Sequence, residues 1–567
     1  MQVADITSVL LSCVFFMLLV AGYAWYRTRG ETASRDGYFL AGRGLSAVFI
    51  AGSMVLTNLS AEQLIGLNGS AYGFNLSSMA WEVTAAFATI CMAFLFLPRY
   101  LAGAFTTLPE FLSGRFDEGV RRLSVILFMV GYGLVTIPSV LYSGAIAVLL
   151  LFDVPGLFGI TYGQALVLVI VSIGCIGAVY AIAGGLKAVA VSDTLNGVGL
   201  LIVGVAVPLL GLSALGQGDV GEGVRVLTTT HTEKLNAIGG PSDPTPFGTI
   251  FTGMIFANLF YWCTNQYVIQ RTLAASSLAE GQKGVLFSGF LKVTVPFMMM
   301  IPGVIAFHLY GPGLTSIDQA YPRLIRDVMP AYAAGFFLAV LLGAVFSSFN
   351  SLLNSAATLF SLDVYAPLRG QAPSDAELVR VARVAGTVIA LFSFLVAPLL
   401  QFAPDGLWQV IRIFTGFYNI PVIAIVVAGL FAPRVPALGP KVVILFHVIA
   451  YGLFQFVLKE HFPIHFLHLY AILFVVELGL MLVIGEVYPR MVVPGPAPAH
   501  RVDLTPWRFA IPAAVTLMSS VVAVYLLFSA VGLVGGLSSL FVPLVGLLAL
   551  LNAGIWGWWI LRSDPPG

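Results

Sequence analysis

Two long apolar stretches of the chain are interrupted at their middle by polar side chains. The first reads GSMVLTNLSAEQLIGLNGS and carries Asn58, Ser60, Glu62 and Gln63 close together. The second reads NLFYWCTNQYVIQRT and sets amides among aromatic rings. If these stretches cross a membrane, a helix that breaks at the polar residues can line a cavity with free backbone oxygens, which bind ions and polar solutes. The alternative is a polar seam between two packed helices.

A third stretch, GAVFSSFNSLLNSAATLFS, is rich in hydroxyl and amide side chains: Ser347, Ser348, Asn350, Ser351, Asn354 and Ser355. Hydroxyl and carbonyl oxygens are the hard donors that bind calcium and magnesium, and by extension they suit sodium. A Ser-rich helix by itself more often indicates close helix packing. The stretch therefore supports a cation site in combination with the two interrupted stretches.

Three charged residues stand alone in other apolar stretches. They are Glu82 in AWEVTAA, Asp193 in AVAVSDTLNG and Lys292 in SGFLKVTVP. A charge at membrane depth is expected to face the interior of a helix bundle or a water-filled path. The alternative is a buried ion pair, and Glu82 with Lys292 is one possible pair.

The composition places these stretches in a membrane. Hydrophobic residues make up 59% of the 567 residues and charged residues 9%, whereas soluble domains carry about 25% charged residues. The mean hydropathy is +0.96, so lipid must solvate most of the surface. The net charge of +1 argues neither for nor against nucleic acid as a partner. No basic block is present to bind phosphates, so we do not expect one. The four cysteines lie in apolar runs without a metal-binding spacing.

Fifteen runs are long and apolar enough to cross a bilayer. They lie near 6–26, 46–66, 78–99, 122–150, 162–183, 187–213, 246–270, 282–308, 331–364, 378–401, 405–431, 440–458, 465–487, 508–530 and 538–561. Fourteen is the alternative, because only a short Gly-rich segment separates the last two. We refer to these runs as the first to fifteenth spans.

Lys and Arg cluster in alternate loops between the spans. They include Arg27, Arg29, Arg99, Arg115, Arg121, Arg122, Lys187, Arg271, Lys283, Arg369, Arg380, Arg383, Arg434, Lys441, Arg490, Arg501 and Arg508. Cytoplasmic loops are the ones that carry an excess of positive charge. We therefore expect a multi-pass protein of the cell membrane with its N-terminus outside.

The two interrupted spans, the second and the seventh, occupy the same place in two stretches of five spans, 46–213 and 246–431. An odd number of spans reverses the orientation of the second copy relative to the first. This arrangement is typical of an inverted repeat with a binding site at the repeat interface.

Five strings in order resemble the sodium:solute symporter family, which includes the sodium–glucose cotransporters. They are DGYFLAGRGL, NLSAEQLIGLNG, AIAGGLKAVAVSD, YWCTNQYVIQRTLAASS and SSFNSLLNSAATLFSLDVY. The resemblance runs from about residue 37 to 435. The segments FYWCTNQ and GFYNIP most resemble an uncharacterised bacterial branch of the family. It implies an all-α membrane protein with a LeuT-like core of 5+5 inverted repeats and extra flanking helices, 14–15 spans in all.

The resemblance also implies roles for particular residues. Sodium would be bound by backbone oxygens of Leu56, Leu59 and Ala344 and by the Ser347 and Ser348 hydroxyls. Asp193 matches an acidic residue tied to cation coupling. The remaining matches are sugar-contacting residues, with Tyr261 as the aromatic inner gate: Asn58, Gln63, Glu82, Asn258, Tyr261, Trp262 and Lys292.

Two positions depart from the sugar carriers. Ala85 stands where they have a polar residue shortly after the matched Glu. Arg412, in VIRIFTGFYNIP, stands where they have a Gln that bonds the sugar. Because Arg is a permanent cation with a forked donor geometry, it suits carboxylate, sulfate or phosphate. The hypothesis is an anionic sugar; the alternative is that Arg412 pairs with a protein carboxylate or lies outside the site.

The sequence thus predicts sodium-coupled symport of a small polar solute, a sugar or a sugar acid, by alternating access. The domain division expected is 1–44, an extra helix and loop; 45–213, the first repeat; 214–245, an outer loop; 246–435, the second repeat; and 436–567, accessory helices. Trp81 and Trp408 are candidates to close the outer side. Alternatives are another organic solute, such as a carboxylate, polyol or amino acid, or a transporter-fold sensor. A membrane enzyme is disfavoured because no catalytic spacing is present.

Overall fold

The protein is built from membrane-crossing helices. A computed structural model describes residues 3–28, 34–314, 316–369, 372–402, 407–458, 461–462, 464–490 and 502–562, and within these ranges it contains helices and no strand. The first seven spans are formed by Val3–Thr28; Ala47–Asn58 with Ala61–Gly73; Ala80–Val83, Ala85–Cys91 and Leu97–Gly103; Glu118–Val130 with Ile137–Leu151; Tyr162–Leu215, which supplies both the fifth and the sixth; and Gly253–Cys263 with Gln266–Leu273.

The remaining eight spans follow in the same order as the apolar runs. They are formed by Leu278–Val295 with Ile301–Tyr310, Ala334–Leu359, Asp375–Val396, Leu407–Phe431, Leu438–Leu453, Phe466–Val487, Ala510–Leu527 and Phe541–Arg562. The last two are separate helices joined by a turn at Leu533–Gly535, so the Gly-rich segment does separate two spans.

Fourteen of the predicted spans are long enough to cross a bilayer in the described part of the chain. Thirteen are long apolar helices, and the fourteenth is the pair Ala47–Asn58 and Gln63–Gly73, whose axes are bent by 58°. The seventh span does not form the continuous helix that the run 246–270 suggests, because its apolar helix ends at Cys263 after 11 residues. The second and seventh spans are therefore both broken, as the sequence predicted, whereas the Ser-rich ninth span is continuous.

A third interruption separates the fifth span from the sixth. Gly185 has φ 60° and ψ −170° within Tyr162–Leu215, a region of backbone space that only glycine adopts readily. A Cβ atom at this position would lie 2.9 Å from the Tyr38 carbonyl oxygen, and the Tyr38 hydroxyl donates to the Ile182 carbonyl at 3.2 Å. The strings DGYFLAGRGL and AIAGGLKAVAVSD thus meet at this turn.

The core spans form two packing groups. The second, third, seventh and eighth spans pack on one another, whereas the fourth, fifth, ninth and tenth form the other group. The sixth span lies against both, since Asp193 bonds Ser53 of the second span and Gly199 lies against Val340 of the ninth. The twelfth to fifteenth spans lie outside the core, and the thirteenth packs on the seventh and eleventh.

The loops rich in Lys and Arg gather at one end of the bundle, which we call the basic end. Arg43 donates to the Ala104 carbonyl at 2.8 Å and to the Leu273 carbonyl at 3.3 Å. Arg115 donates to the carbonyls of Gly429 and Ala432 at the end of the eleventh span. Cations in such positions neutralise the negative ends of helices. These loops therefore stabilise the bundle.

Arg271 is an exception, and its assignment to the basic loops is wrong. Its side chain is fully buried, and the residue belongs to the helix Gln266–Leu273 beyond the break of the seventh span. A count of positive charges along the sequence does not show whether a residue near the end of a span lies in the loop or points into the helix bundle. The consequence is a buried cation among the helices that carry the predicted sodium ligands.

Gly185→Ala should destabilise the protein by about 1–3 kcal/mol, because the added methyl group both strains the backbone and approaches Tyr38. The measurement is the melting temperature of the purified full-length protein in detergent. Gly163→Ala, at the start of the same helix, is the control because a Cβ there meets no atom within 4 Å. Equal melting temperatures for the two variants would contradict this account of the turn.

Candidate functional site

The break in the second span frees backbone carbonyls. In a continuous helix the Ser60 amide would bond the Leu56 carbonyl, and the Gln63 amide would bond the Leu59 carbonyl. Here the Ser60 amide donates to the Asn58 carbonyl at 2.9 Å, and the Gln63 amide donates to the Ser60 carbonyl at 3.1 Å. The carbonyls of Leu56 and Leu59 are thereby released from the helical pattern, which makes them available as cation ligands.

The ninth span brings its hydroxyls to this break. The Ser348 hydroxyl donates to the Thr57 carbonyl at 3.0 Å, and the Ser351 and Thr57 hydroxyls lie 3.0 Å apart. Ala344 is fully buried one turn before Ser348. The five predicted sodium ligands therefore lie on the two elements that meet here, the break and the middle of the ninth span. Their oxygens are neutral carbonyls and hydroxyls, which suit a monovalent hard cation.

Asp193 and Arg271 form a buried ion pair beside the predicted sodium ligands. Arg271 Nη2 lies 3.6 Å from Asp193 Oδ2. The Ser53 hydroxyl donates to the same carboxylate oxygen at 2.5 Å, and Arg271 Nε donates to Ser53 Oγ at 2.6 Å. Arg271 also donates to Ser351 Oγ. Four spans, the second, sixth, seventh and ninth, therefore converge on one guanidinium group.

Two oxygens near this pair remain without a hydrogen bond. Ser347 lies beside the Asp193 carboxylate, yet neither Ser347 Oγ nor Asp193 Oδ1 makes a hydrogen bond of normal geometry within the described residues. A buried acceptor without a partner is costly. A bound cation would relieve this cost, and the Ser347 oxygen is one of the predicted sodium ligands.

Lys292, Glu82 and the half-buried Asn58 form a second polar cluster. Lys292 Nζ donates to Glu82 Oε2 and to Asn58 Oδ1, and it lies 5.8 Å from the centre of the Trp262 ring. The exposed fractions of Lys292 and Glu82 are 1% and 2%. Lys292 and Glu82 thus form the ion pair considered in the sequence analysis. Together with Asn58, this pair links the second, third and eighth spans.

The amides of the predicted substrate site differ in their bonding. Asn258 Nδ2 donates to Thr84 Oγ1 at 3.0 Å, whereas Gln63 Oε1 is buried without a hydrogen-bond partner within the described residues. The sequence analysis does not single out Thr84. Thr84 precedes Ala85, so shifting the match to the sugar carriers by one residue would place a polar side chain where those carriers have one.

Aromatic rings lie around these polar groups. Tyr261 and Trp262 contact edge to face with centroids 5.4 Å apart, and Tyr261 is 5.8 Å from Tyr267. Trp81 stacks on Phe466 of the thirteenth span at 6.5 Å. The side chains of Trp408 and Arg412 lie outside the part of the chain that the structure describes. The predicted part of Trp408 in the outer closure and the predicted anion contact of Arg412 fall on these side chains.

The described charges of the site balance in pairs. Lys292 neutralises Glu82 and Arg271 neutralises Asp193. Buried ions of this kind are tolerated when they are paired and hydrogen-bonded, and removing one partner leaves the other uncompensated. The arrangement can therefore present amides, hydroxyls and aromatic faces to a polar solute without a net charge of its own.

Two helices broken at matching positions, with polar groups gathered at both breaks, define a secondary transporter of LeuT-like fold. The chain belongs to the sodium:solute symporter family, whose model matches residues 38–442. It is 46% identical over 91% of its length to the uncharacterized symporter YidK of Escherichia coli, of which it covers 90%. It is 31% identical to the sodium/glucose cotransporter of Vibrio parahaemolyticus, over 72% of this chain and 78% of that protein.

A solved structure supports the fold. A sodium-coupled sialic acid symporter in a substrate-bound outward-open state matches 86% of this chain and 99% of its own, with a TM-score of 0.73 and 22% identity.

Human sodium/myo-inositol cotransporter 2 is 31% identical over 74% of this chain and 65% of its own. The protein is therefore a multi-pass membrane symporter that couples a small-molecule solute to sodium, and it is a transporter and not an enzyme.

Ser348→Ala should raise the sodium concentration for half-saturation roughly 10-fold or more, since a ligand to a charged group is lost. The measurement is binding of radioactive sodium to the purified protein. Ser361→Ala is the matched control, because the buried Ser361 hydroxyl bonds only one turn back, to the Ala357 carbonyl at 2.7 Å. Unchanged sodium affinity in Ser348→Ala would remove this residue from the site.

Proposed function

We propose that the protein imports a sugar or a sugar acid together with sodium. The observation that carries the proposal is the cluster of Glu82, Lys292 and Asn58. The Asn258 amide bonds Thr84, two residues after Glu82, and the second span that supplies Asn58 also supplies the Gln63 amide. Sugar hydroxyls both donate and accept hydrogen bonds, and this set offers both functions within one buried region. The aromatic rings of Tyr261 and Trp262 supply apolar faces for the ring of such a solute. The sugar and inositol cotransporters among the relatives support the same substrate class.

Sodium binding at the break would favour the form that holds the solute. In this proposal the basic end faces the cytoplasm and the N-terminus lies outside. Sodium would be held by the carbonyls of Leu56, Leu59 and Ala344 with the Ser347 and Ser348 hydroxyls. Because these ligands come from two elements that move relative to each other, a bound ion stabilises one arrangement and raises solute affinity by linkage. The membrane potential adds about 2.3 kcal/mol per charge per 100 mV.

Asp193 would connect this sodium site to the rest of the core. The sodium ligand Ser348 bonds the Thr57 carbonyl, the Thr57 hydroxyl contacts Ser351, and Ser351 accepts from Arg271, the partner of Asp193. A contiguous set of hydrogen bonds of this kind carries a displacement at one group to the next. We therefore assign Asp193 a coupling role through Arg271 rather than a contact with the solute.

Arg412 would decide whether the solute is anionic. The two described ion pairs of the site are already balanced, so Arg412 would add a cation that neither pair neutralises. A carboxylate or sulfate on the sugar would then be bound by the guanidinium fork. Carboxylates, polyols and amino acids as solutes, and a sensor of the same fold, are the other candidates.

The test is uptake by the full-length protein in proteoliposomes, with sodium or choline outside, of galactose, myo-inositol, galacturonate and proline. We expect sodium-dependent uptake of one of the sugars. If the solute is galacturonate, Arg412→Gln should raise its KM roughly 10- to 100-fold, the effect of a lost bond between charged groups.

Arg326→Gln is the control, because Arg326 is an exposed Arg outside the site. Equal galacturonate uptake by Arg412→Gln and wild type would refute the anion assignment. Sodium-dependent uptake of proline alone would refute the sugar assignment, and no sodium-dependent uptake of any solute would favour the sensor.

A further inference from the structure

A tyrosine of the fourth span is bonded into the break of the seventh span. The Tyr132 hydroxyl donates to Asn265 Oδ1 at 2.5 Å and accepts from the Tyr267 amide at 3.4 Å. Tyr132 is fully buried, and the exposed fraction of Asn265 is 2%. One hydroxyl therefore satisfies both a side chain and a backbone amide of the broken segment.

The bond replaces the usual way of closing a helix end. Asn265 is the N-cap residue of Gln266–Leu273, yet its side chain makes no capping hydrogen bond. An Asn in this position usually accepts from the amide of the second or third helical residue. Here the Asn265 side chain accepts from the Tyr132 hydroxyl. The amide of Tyr267, the second helical residue, donates to the same hydroxyl. The end of this helix is thus completed by another span.

The fourth span is shaped to deliver this hydroxyl. Tyr132 lies in a π-helical turn, Gly131–Thr136, between two α-helical segments. Gly131 allows a close approach of the eleventh span, because a Cβ there would lie 2.5 Å from the Tyr418 ring. Such turns insert one extra residue into a helix, reorient the side chains around it and frequently occur at functional sites. The local geometry is therefore specialised at the residue that makes the bond.

The bond also joins the two packing groups of the core. Tyr132 belongs to the group of the fourth, fifth, ninth and tenth spans, and Asn265 belongs to the group of the second, third, seventh and eighth. Tyr132 packs edge to face on Tyr267 at 5.5 Å, and Tyr267 packs on Tyr261 at 5.8 Å. Tyr261 is the predicted inner gate, so Tyr132 is connected to the gate through one ring.

We propose that Tyr132 is a gating residue whose hydrogen bonds to Asn265 and to the Tyr267 amide hold the inner path closed until solute is bound. The proposal rests on the proposed function, because it requires that the two groups separate during transport. Release toward the basic end would break both bonds. Their free energy would disfavour opening of the sodium-loaded protein without solute, and this limits uncoupled sodium leakage.

The first experiment measures solute-independent flux of radioactive sodium through the full-length protein in proteoliposomes. Tyr132→Phe keeps the ring and removes the hydroxyl with both of its hydrogen bonds. It should raise the leak by at least roughly 2- to 10-fold, the range expected for one of these bonds. Asn265→Ala should raise it similarly, and the double variant should add little to either single one. Tyr142→Phe is the control, ten residues or about 15 Å farther along the same span.

Amide hydrogen exchange of the segment 264–270 is the second readout. Faster exchange in Tyr132→Phe than in Tyr142→Phe, together with the raised leak, would support the proposal. Faster exchange with an unchanged leak would overturn the gating role and leave a purely structural bond. If wild type shows sodium-dependent uptake but Tyr132→Phe and Tyr142→Phe have the same leak and the same exchange, the gating inference alone is overturned. A wild-type protein without sodium-dependent uptake would instead overturn the proposed function on which it rests.

Discussion

A backbone carbonyl in a lipid bilayer must have a partner, because no water is available to replace a missing hydrogen bond. This constraint explains why the breaks in the second and seventh spans lie in the interior, where the freed groups can meet partners on other helices. At the two breaks, Leu59–Ser60 and Thr264–Asn265, the freed groups lie in the interior and meet side chains of other spans. The Thr57 carbonyl is bonded by Ser348, and the Tyr267 amide by Tyr132. The carbonyls of Leu56 and Leu59, which the break releases from the helical pattern, are the sodium ligands we propose.

The same constraint applies to charge. Glu82, Lys292, Asp193 and Arg271 are all buried, and each has its counter-ion on a different span. Neither pair can form until the spans have assembled, so the polar site and the packing of the core depend on each other. Because both pairs bridge helices, a movement of one helix changes the bonding of a charge. The charged groups are therefore well placed to couple ion binding to the arrangement of the helices.

Much of this architecture follows from the sequence. Asn58, Ser60 and Gln63 predicted the first break because polar side chains at membrane depth require an interior environment, and the amides at 258–266 predicted the second for the same reason. Arg271 was misplaced because hydropathy and charge counts register where a residue lies along the chain, not which way its side chain points. The partners of Asn265 could not be predicted either. A π-helical turn has no clear signature in composition, and it is this turn that determines where Tyr132 points.

The central claim is that sodium binds where the second span breaks and the ninth span meets it. Hydrogen exchange of the full-length protein in detergent, compared between sodium chloride and choline chloride, tests it directly. Sodium should slow exchange in the segments 56–64 and 344–351, while the fourteenth and fifteenth spans should be unaffected. Protection confined to spans outside the core, or no protection at the break although uptake is sodium-dependent, would contradict the account.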